Sequence, residues 1–137
     1  MAHWLFKSEP SAFSFARLAG EGKKGTDWSG IRNHSAKLNM MAMKKGERGF
    51  FYHSNEGKAI VGLVEVTKTF RPDPTDATGK FGMVDIKAVK PLPKPVTLEA
   101  IKAEPKLANM ALVTNSRLSV QPVTEDEWKI ICAMGGV

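Results

Sequence analysis

Cysteine is almost absent from this chain: Cys132 is the only one in 137 residues. A disulfide framework within one molecule is thereby excluded, and a reducing compartment is the natural setting. Cys132 lies in the apolar run Ile130-Ile131-Cys132-Ala133-Met134, which predicts a small core residue rather than a reactive thiol. Histidine is scarce as well. His3, His34 and His53 have neither HxxxH nor His/Cys spacing, so no metal site is predicted, and no cofactor motif is visible. No stretch approaches the ~20 apolar residues of a membrane-spanning helix. The longest, Ala59 to Val64, has strand length, and Lys7 and Glu9 interrupt any leader-like N-terminal run. A nucleophile elbow and a glycine-rich phosphate loop are missing too. Ser8 beside Glu9 and Ser54 beside His53 point to opposite faces of an extended strand, so neither makes a nucleophile–base pair.

What is present is ordinary in proportion and biased in sign. Hydrophobic residues make up 42% and charged residues 25%, as in globular proteins generally. The length suits one domain over residues 1–137, able to bury about two-thirds of its unfolded surface. A formal net charge of +6 favours a polyanion as partner. The expectation is a soluble, cytoplasmic monomer, nuclear if the source is eukaryotic, with no membrane or metal partner.

Strand signals dominate the pattern. His3 to Lys7 is an aromatic-rich strand ended by Pro10; Gly49 to His53 and Ala59 to Phe70 form a hairpin around Ser54-Asn55-Glu56-Gly57-Lys58. Phe81 to Val89 alternates, and Leu118 to Val123 reads as a last strand. Pro91, Pro93 and Pro95 predict an extended connector, and the glycines of 20–30 a loop. Helices are expected at Ser14 to Leu18, at Ile31 to Lys45 (through Ile31, Leu38, Met41 and Ala42) and at Thr97 to Lys102. A last one follows the capping box Thr124-Glu125-Asp126-Glu127. The fold class is α+β: a small closed or nearly closed barrel of about five or six strands with short peripheral helices.

Four short clusters join apolar bulk to directional polar groups: 4–10 (WLFKSEP), 28–33 (WSGIRN), 50–55 (FFYHSN) and 116–119 (SRLS). That mixture suits stacking a flat heterocycle and reading its edge. Trp4 and Trp128 are expected in the core, whereas Trp28, on a glycine- and lysine-rich loop, is either a plug or a ligand platform. Arg32 and Asn33 open a helix, where they either cap it or face a phosphate.

The motifs at 4–10, 28–33 and 51–55 resemble the EVE domain family, which includes the thymocyte nuclear protein group. The stretches 60–66 and 116–123 and the pair Asp73-Pro74 continue the resemblance in order along the chain. It implies a PUA-like barrel that takes a modified base, such as 5-methylcytosine or 5-hydroxymethylcytosine, from DNA or RNA into an aromatic and polar pocket. The implied base pocket draws on Lys7, Ser8, Glu9, Trp28, Asn33, Tyr52, Ser54, Asn55, Leu118 and Ser119. Lys23, Lys24, Arg32, Lys37 and Arg117 would hold phosphates. Where the family usually has a tyrosine and then an Arg-Asn pair, this chain carries His34 and Lys37-Leu38. Recognition rather than catalysis is the expectation. The alternatives are a small enzyme acting on a nucleotide or modified base, with Glu9 or His53 as acid or base, and a small-molecule-binding module.

Overall fold

The computed structural model describes residues 2–137. Six strands form one mixed sheet: β1 (His3–Ser8), β2 (Thr26–Asp27), β3 (Arg48–His53), β4 (Ala59–Pro72), β5 (Gly82–Thr97) and β6 (Val120–Val123), in the order β2-β5-β4-β3-β1-β6. β1 and β3 are parallel and every other pair is antiparallel. A parallel pair needs a crossover. Here the crossover carries α1 (Phe15–Gly20) and α2 (His34–Ala42), which pack over one face of the sheet, and between them β2, which joins the sheet edge beside β5.

Alternation then sorts the side chains into two cores. Trp4, Phe6, Phe51, Val64, Val66, Val84 and Ile86 pack with Phe15 and Leu18 of α1, Ala36 and Met40 of α2, and Trp28. Leu5, Phe50, Tyr52, Ile60 and Leu63 face the opposite way. There they meet α3 (Leu98–Ala103), α4 (Ala111–Thr114) and α5 (Glu125–Gly135) through Ile101, Leu112 and Ile131. A one-residue register slip in β1 would exchange the two sets, so burial on both faces fixes the pairing. Glu47 locks the first core: its buried carboxylate accepts from the Trp4 indole (3.0 Å) and the Lys44 amide (2.7 Å).

Several expectations need correction. The sheet is not closed: β2 and β6 are its two edges and do not pair, and α2 packs beside β6 instead, with Asn39 Nδ2 donating to the Val120 carbonyl (2.7 Å). The glycine-rich loop contains β2, paired with Asp85 and Ile86. Gly25 permits that approach: its φ is +66°, and a side chain there would run into the Ile86 carbonyl. The proline connector is part of β5. Ile60 pairs with Val96 and Gly62 with Pro91, so Pro93 and Pro95 fall in the bulge between those pairs, where no ladder needs their missing N–H. The second helix spans only 34–42 and buries Ala36 and Met40, leaving Leu38 and Met41 52% exposed, the reverse of the apolar phase expected.

The caps behave as their residue types require. Ser14, Thr97 and Thr124 each accept from the amide three residues on, and Glu127 completes the capping box. Among the described residues no helix is long and apolar enough to cross a membrane, and no group of three or more His, Cys, Asp or Glu could hold a metal ion.

Candidate nucleic-acid interface

The crossover leaves a cleft of about 350 Å3 where β1 ends and β2 begins, lined by Ser8, Phe13, Arg17, Thr26, Asp27, Trp28 and Ser29. Trp28 forms its inner wall. Its amide donates to the Val84 carbonyl (2.7 Å), which fixes the residue to the start of β5. Its ring meets Phe6 and Phe51 edge-to-face, with centroids 5.5 and 5.8 Å away, and Phe13 at 6.1 Å. Only 8% of Trp28 is exposed, so the residue is core packing and cleft wall at once. Arg17 lies on the lip with its guanidinium 5.4 Å from the centre of the Phe13 ring, a cation–π contact.

Beyond Trp28 the loop is tied down by one buried carboxylate. Asp73 Oδ2 accepts from the Gly30 amide (2.8 Å) and from Arg32 Nη1 (3.2 Å), while Oδ1 accepts from the Thr75 amide and hydroxyl. Burial alone would raise its pKa; the Thr75, Gly30 and Arg32 bonds outweigh that and hold it at about 2. Asp76 is also near 2, chiefly through the Thr78 hydroxyl and the Phe81 amide. The 73–81 turn is therefore a rigid anionic brace behind the 28–33 loop. Arg32 and Lys37 both lie 5.8 Å from the centre of the Phe81 ring, next to that brace.

The sequence-predicted residues divide in space. Ser8 and Trp28 share the cleft. Asn33 caps α2 through Oδ1, which accepts from the Ala36 amide (2.9 Å). Leu118 is buried in the same core as Trp28. Ser119 sits beside β1, its carbonyl accepting from the Lys7 amide. Glu9 and Asn55 bond each other across the strand ends (2.6 Å), and the Ser54 amide bonds the Ser8 carbonyl. Lys7 and Tyr52 do not line the cleft. They stand on the other phase of their strands, where Lys7 donates to the Ser116 carbonyl and lies 5.7 Å from the centre of the Tyr52 ring. Burial lowers the Lys7 pKa and raises that of Tyr52. Arg32 is committed to Asp73 and Thr75, and Arg117 is an exposed cation on the 116–119 loop. Lys23 lines a different cavity, and Lys24 is exposed beside it on a short helical turn.

Sequence reasoning missed Phe13, Arg17, Thr26, Asp27 and Ser29. One hint was available: Phe13 stands immediately before the Ser14 cap and Arg17 in the first turn of the helix that the cap opens, which puts the cation near the ring.

His53 has a structural task. Its Nε2 accepts from the Phe15 amide (3.1 Å) at the start of α1, which requires the neutral ring with its proton on Nδ1. Burial lowers its pKa. The unfolded chain therefore takes up this proton first, and folding stability contributed by neutral His53 is complete above its ordinary value near ~6.5 and is lost as pH falls below it. Urea unfolding between pH 7.5 and 5 is expected to show a loss that His53→Gln reduces. Equal curves would remove His53 from the pH response.

An α+β, PUA-like architecture with an aromatic and polar cleft at its crossover is the class of protein that these features define. The chain belongs to the EVE domain family, whose model matches residues 2–134. Human thymocyte nuclear protein 1 is 33% identical over an alignment of 165 positions that covers 97% of this chain and 73% of the human protein. A Rhodopseudomonas palustris protein solved by NMR is 62% identical, with a TM-score of 0.94 over 99% of this chain and 94% of that one. The crystal structure of human thymocyte nuclear protein 1 in complex with DNA containing 5-methylcytosine superposes with a TM-score of 0.92 at 32% identity, covering 100% and 99% of the two chains.

Proposed function

We propose that this protein is a nucleic-acid reader that takes a modified base into the cleft beside Trp28, with 5-methylcytosine in DNA as the favoured ligand. The observation that carries the reading is the cleft itself: an aromatic wall of Trp28 and Phe13, hydroxyl-bearing Ser8, Thr26 and Ser29, and the Arg17 cation share one recess wide enough for a base. The full-length likeness to a human protein crystallised with 5-methylcytosine DNA supports it.

Magnitudes set the division of labour. Drawing a base out of a duplex costs a few kcal/mol. Contact with an aromatic wall returns roughly 1–3 kcal/mol per base, and Arg17, Lys37 and Arg117 add attraction to phosphates. A buried methyl is worth ~0.8 kcal/mol, about fourfold in affinity. Affinity thus comes from stacking and charge, and the modification supplies a modest preference unless the recess excludes unmethylated cytosine more strongly. Catalysis finds less support: Glu9 is bonded to Asn55, and the Nε2 of His53 is engaged by the α1 backbone.

Fluorescence anisotropy with labelled DNA and RNA oligonucleotides tests this reading. Each would carry one cytosine, 5-methylcytosine, 5-hydroxymethylcytosine or N6-methyladenine, at about 0.15 M salt, where distant surface charges are screened. Several-fold tighter binding of the 5-methylcytosine DNA is expected. Equal, salt-sensitive binding of every oligonucleotide would overturn it.

A further inference from the structure

On the other side of α1 from the base cleft lies a second recess, of about 400 Å3, that the base-reading function does not use. Phe15 and Ala19 of α1 form one side; Lys23, Arg48, Lys87 and Lys90 bring four cations to it, against the single carboxylate of Glu65. The strand register explains the concentration. Arg48 on β3 is opposite Glu65 on β4, and Glu65 is opposite Lys87 on β5, so three charges form a row across adjacent strands. Glu65 is shared between its neighbours, 3.6 Å from Arg48 and 3.5 Å from Lys87. Lys23 and Lys90 have no carboxylate partner within 4.0 Å among the described residues. Arg48 and Lys90 also line the adjoining cleft, which carries the basic surface on to Lys129 of α5. Trp128 lies there too, but with its ring stacked against both His3 (4.2 Å) and Phe50 (4.3 Å). This surface therefore offers charge without a free aromatic face, a chemistry that grips phosphates and ignores bases.

We propose that this groove binds the phosphate backbone of the same nucleic acid, on one flank of the base held beside Trp28. The proposal rests on the base-reader assignment for its geometry. α1 separates the two recesses, with Arg17 on one and Ala19 on the other, and its six residues span roughly 9 Å at 1.5 Å per residue. A strand anchored in the cleft thus reaches the groove on one side of the modified base only, and the complex has a directional footprint. An acidic protein would be a different partner for the same charges; the lack of a free aromatic face and the position next to the base cleft favour the nucleic-acid backbone.

The test compares the parent with Lys87→Gln/Lys90→Gln on three DNA ligands. One is short and centred on 5-methylcytosine; the other two are extended on its 5′ or its 3′ side, and each also has an unmodified counterpart. The parent should bind one extended ligand more tightly than the other. In the double variant that advantage should vanish, and the slope of log affinity against log salt should fall by about two, near one per neutralised phosphate contact. The ratio between modified and unmodified DNA and the thermal unfolding temperature should stay the same. Retention of the length advantage and of the salt slope would overturn the proposal, as would an equal loss on the short ligand. A parent without any modified-base preference would sink the base-reader assignment alone, since length and salt dependence still report on the groove.

Discussion

Trp28→Ala is expected to remove a large part of the folding stability and, with it, base binding. The ring is 92% buried between Phe6, Phe51 and Phe13, and truncating a buried Trp costs about 3–5 kcal/mol. Domains of this size have roughly 5–15 kcal/mol in total, so such a loss is a large fraction of the whole. A binding defect in this variant would therefore say little about recognition. Trp28→Phe separates the two roles, because a phenyl ring keeps most of the packing and presents a smaller wall to a base. The fold should persist in a urea titration, while anisotropy shows a several-fold weaker grip on the 5-methylcytosine oligonucleotide. Full retention of preference in Trp28→Phe, together with a stable Trp28→Ala, would remove Trp28 from both roles.

The second large effect belongs to a residue that touches no ligand. Asp73→Ala should cost roughly 3 kcal/mol, since the buried carboxylate receives bonds from the Gly30 amide, Arg32 and both donors of Thr75, and each bond to a charged acceptor is worth ~1.5–3 kcal/mol without simple additivity. Its removal also frees the 28–33 loop behind Trp28, so base affinity should fall along with stability. The pH dependence has a definite sign. The folded-state pKa of Asp73 is depressed to about 2 from an ordinary 3.8. Its contribution is present above pH 4 and is lost as pH falls toward 2. Thermal unfolding at pH 7 and pH 3 should show the parent losing more than Asp73→Ala. Identical losses would mean that the brace is not what the carboxylate supplies.

Local chemistry was legible wherever a signal is short-range. The caps at Ser14, Thr97 and Thr124 and the hairpin at 54–58 rest on backbone groups only a few residues away, and the structure places them there. Asn33 was recognised as a residue with two possible tasks, and its bond to the Ala36 amide shows that it caps α2. Phase was harder to read. α2 looked apolar through Leu38 and Met41, yet Ala36 and Met40 face the core, because a small residue is what allows the helix to lie close to the sheet. Pro91, Pro93 and Pro95 read as an extended connector, yet they belong to β5: Pro91 pairs with Gly62, and the bulge between the Ile60 and Gly62 pairs makes room for Pro93 and Pro95.

The site follows the same division. The sequence by itself determined the family, the α+β class, the basic charge and the four clusters in which polar groups flank aromatics. Strand alternation, a period of two, already implied that Lys7 and Ser8 diverge, as do Phe51 and Tyr52. Only the tertiary structure decided which of those directions meets the crossover. The crossover between the parallel strands β1 and β3 lays α1 and α2 over one face and adds β2 to the sheet edge, and that choice puts Ser8 with Phe13, Arg17 and Trp28 while leaving Lys7 and Tyr52 on the other phase. It also set Arg48, Glu65 and Lys87 side by side, though they lie far apart in the chain. Periodicity tells a residue which side of its own strand to take; strand pairing tells it which strangers it will find there.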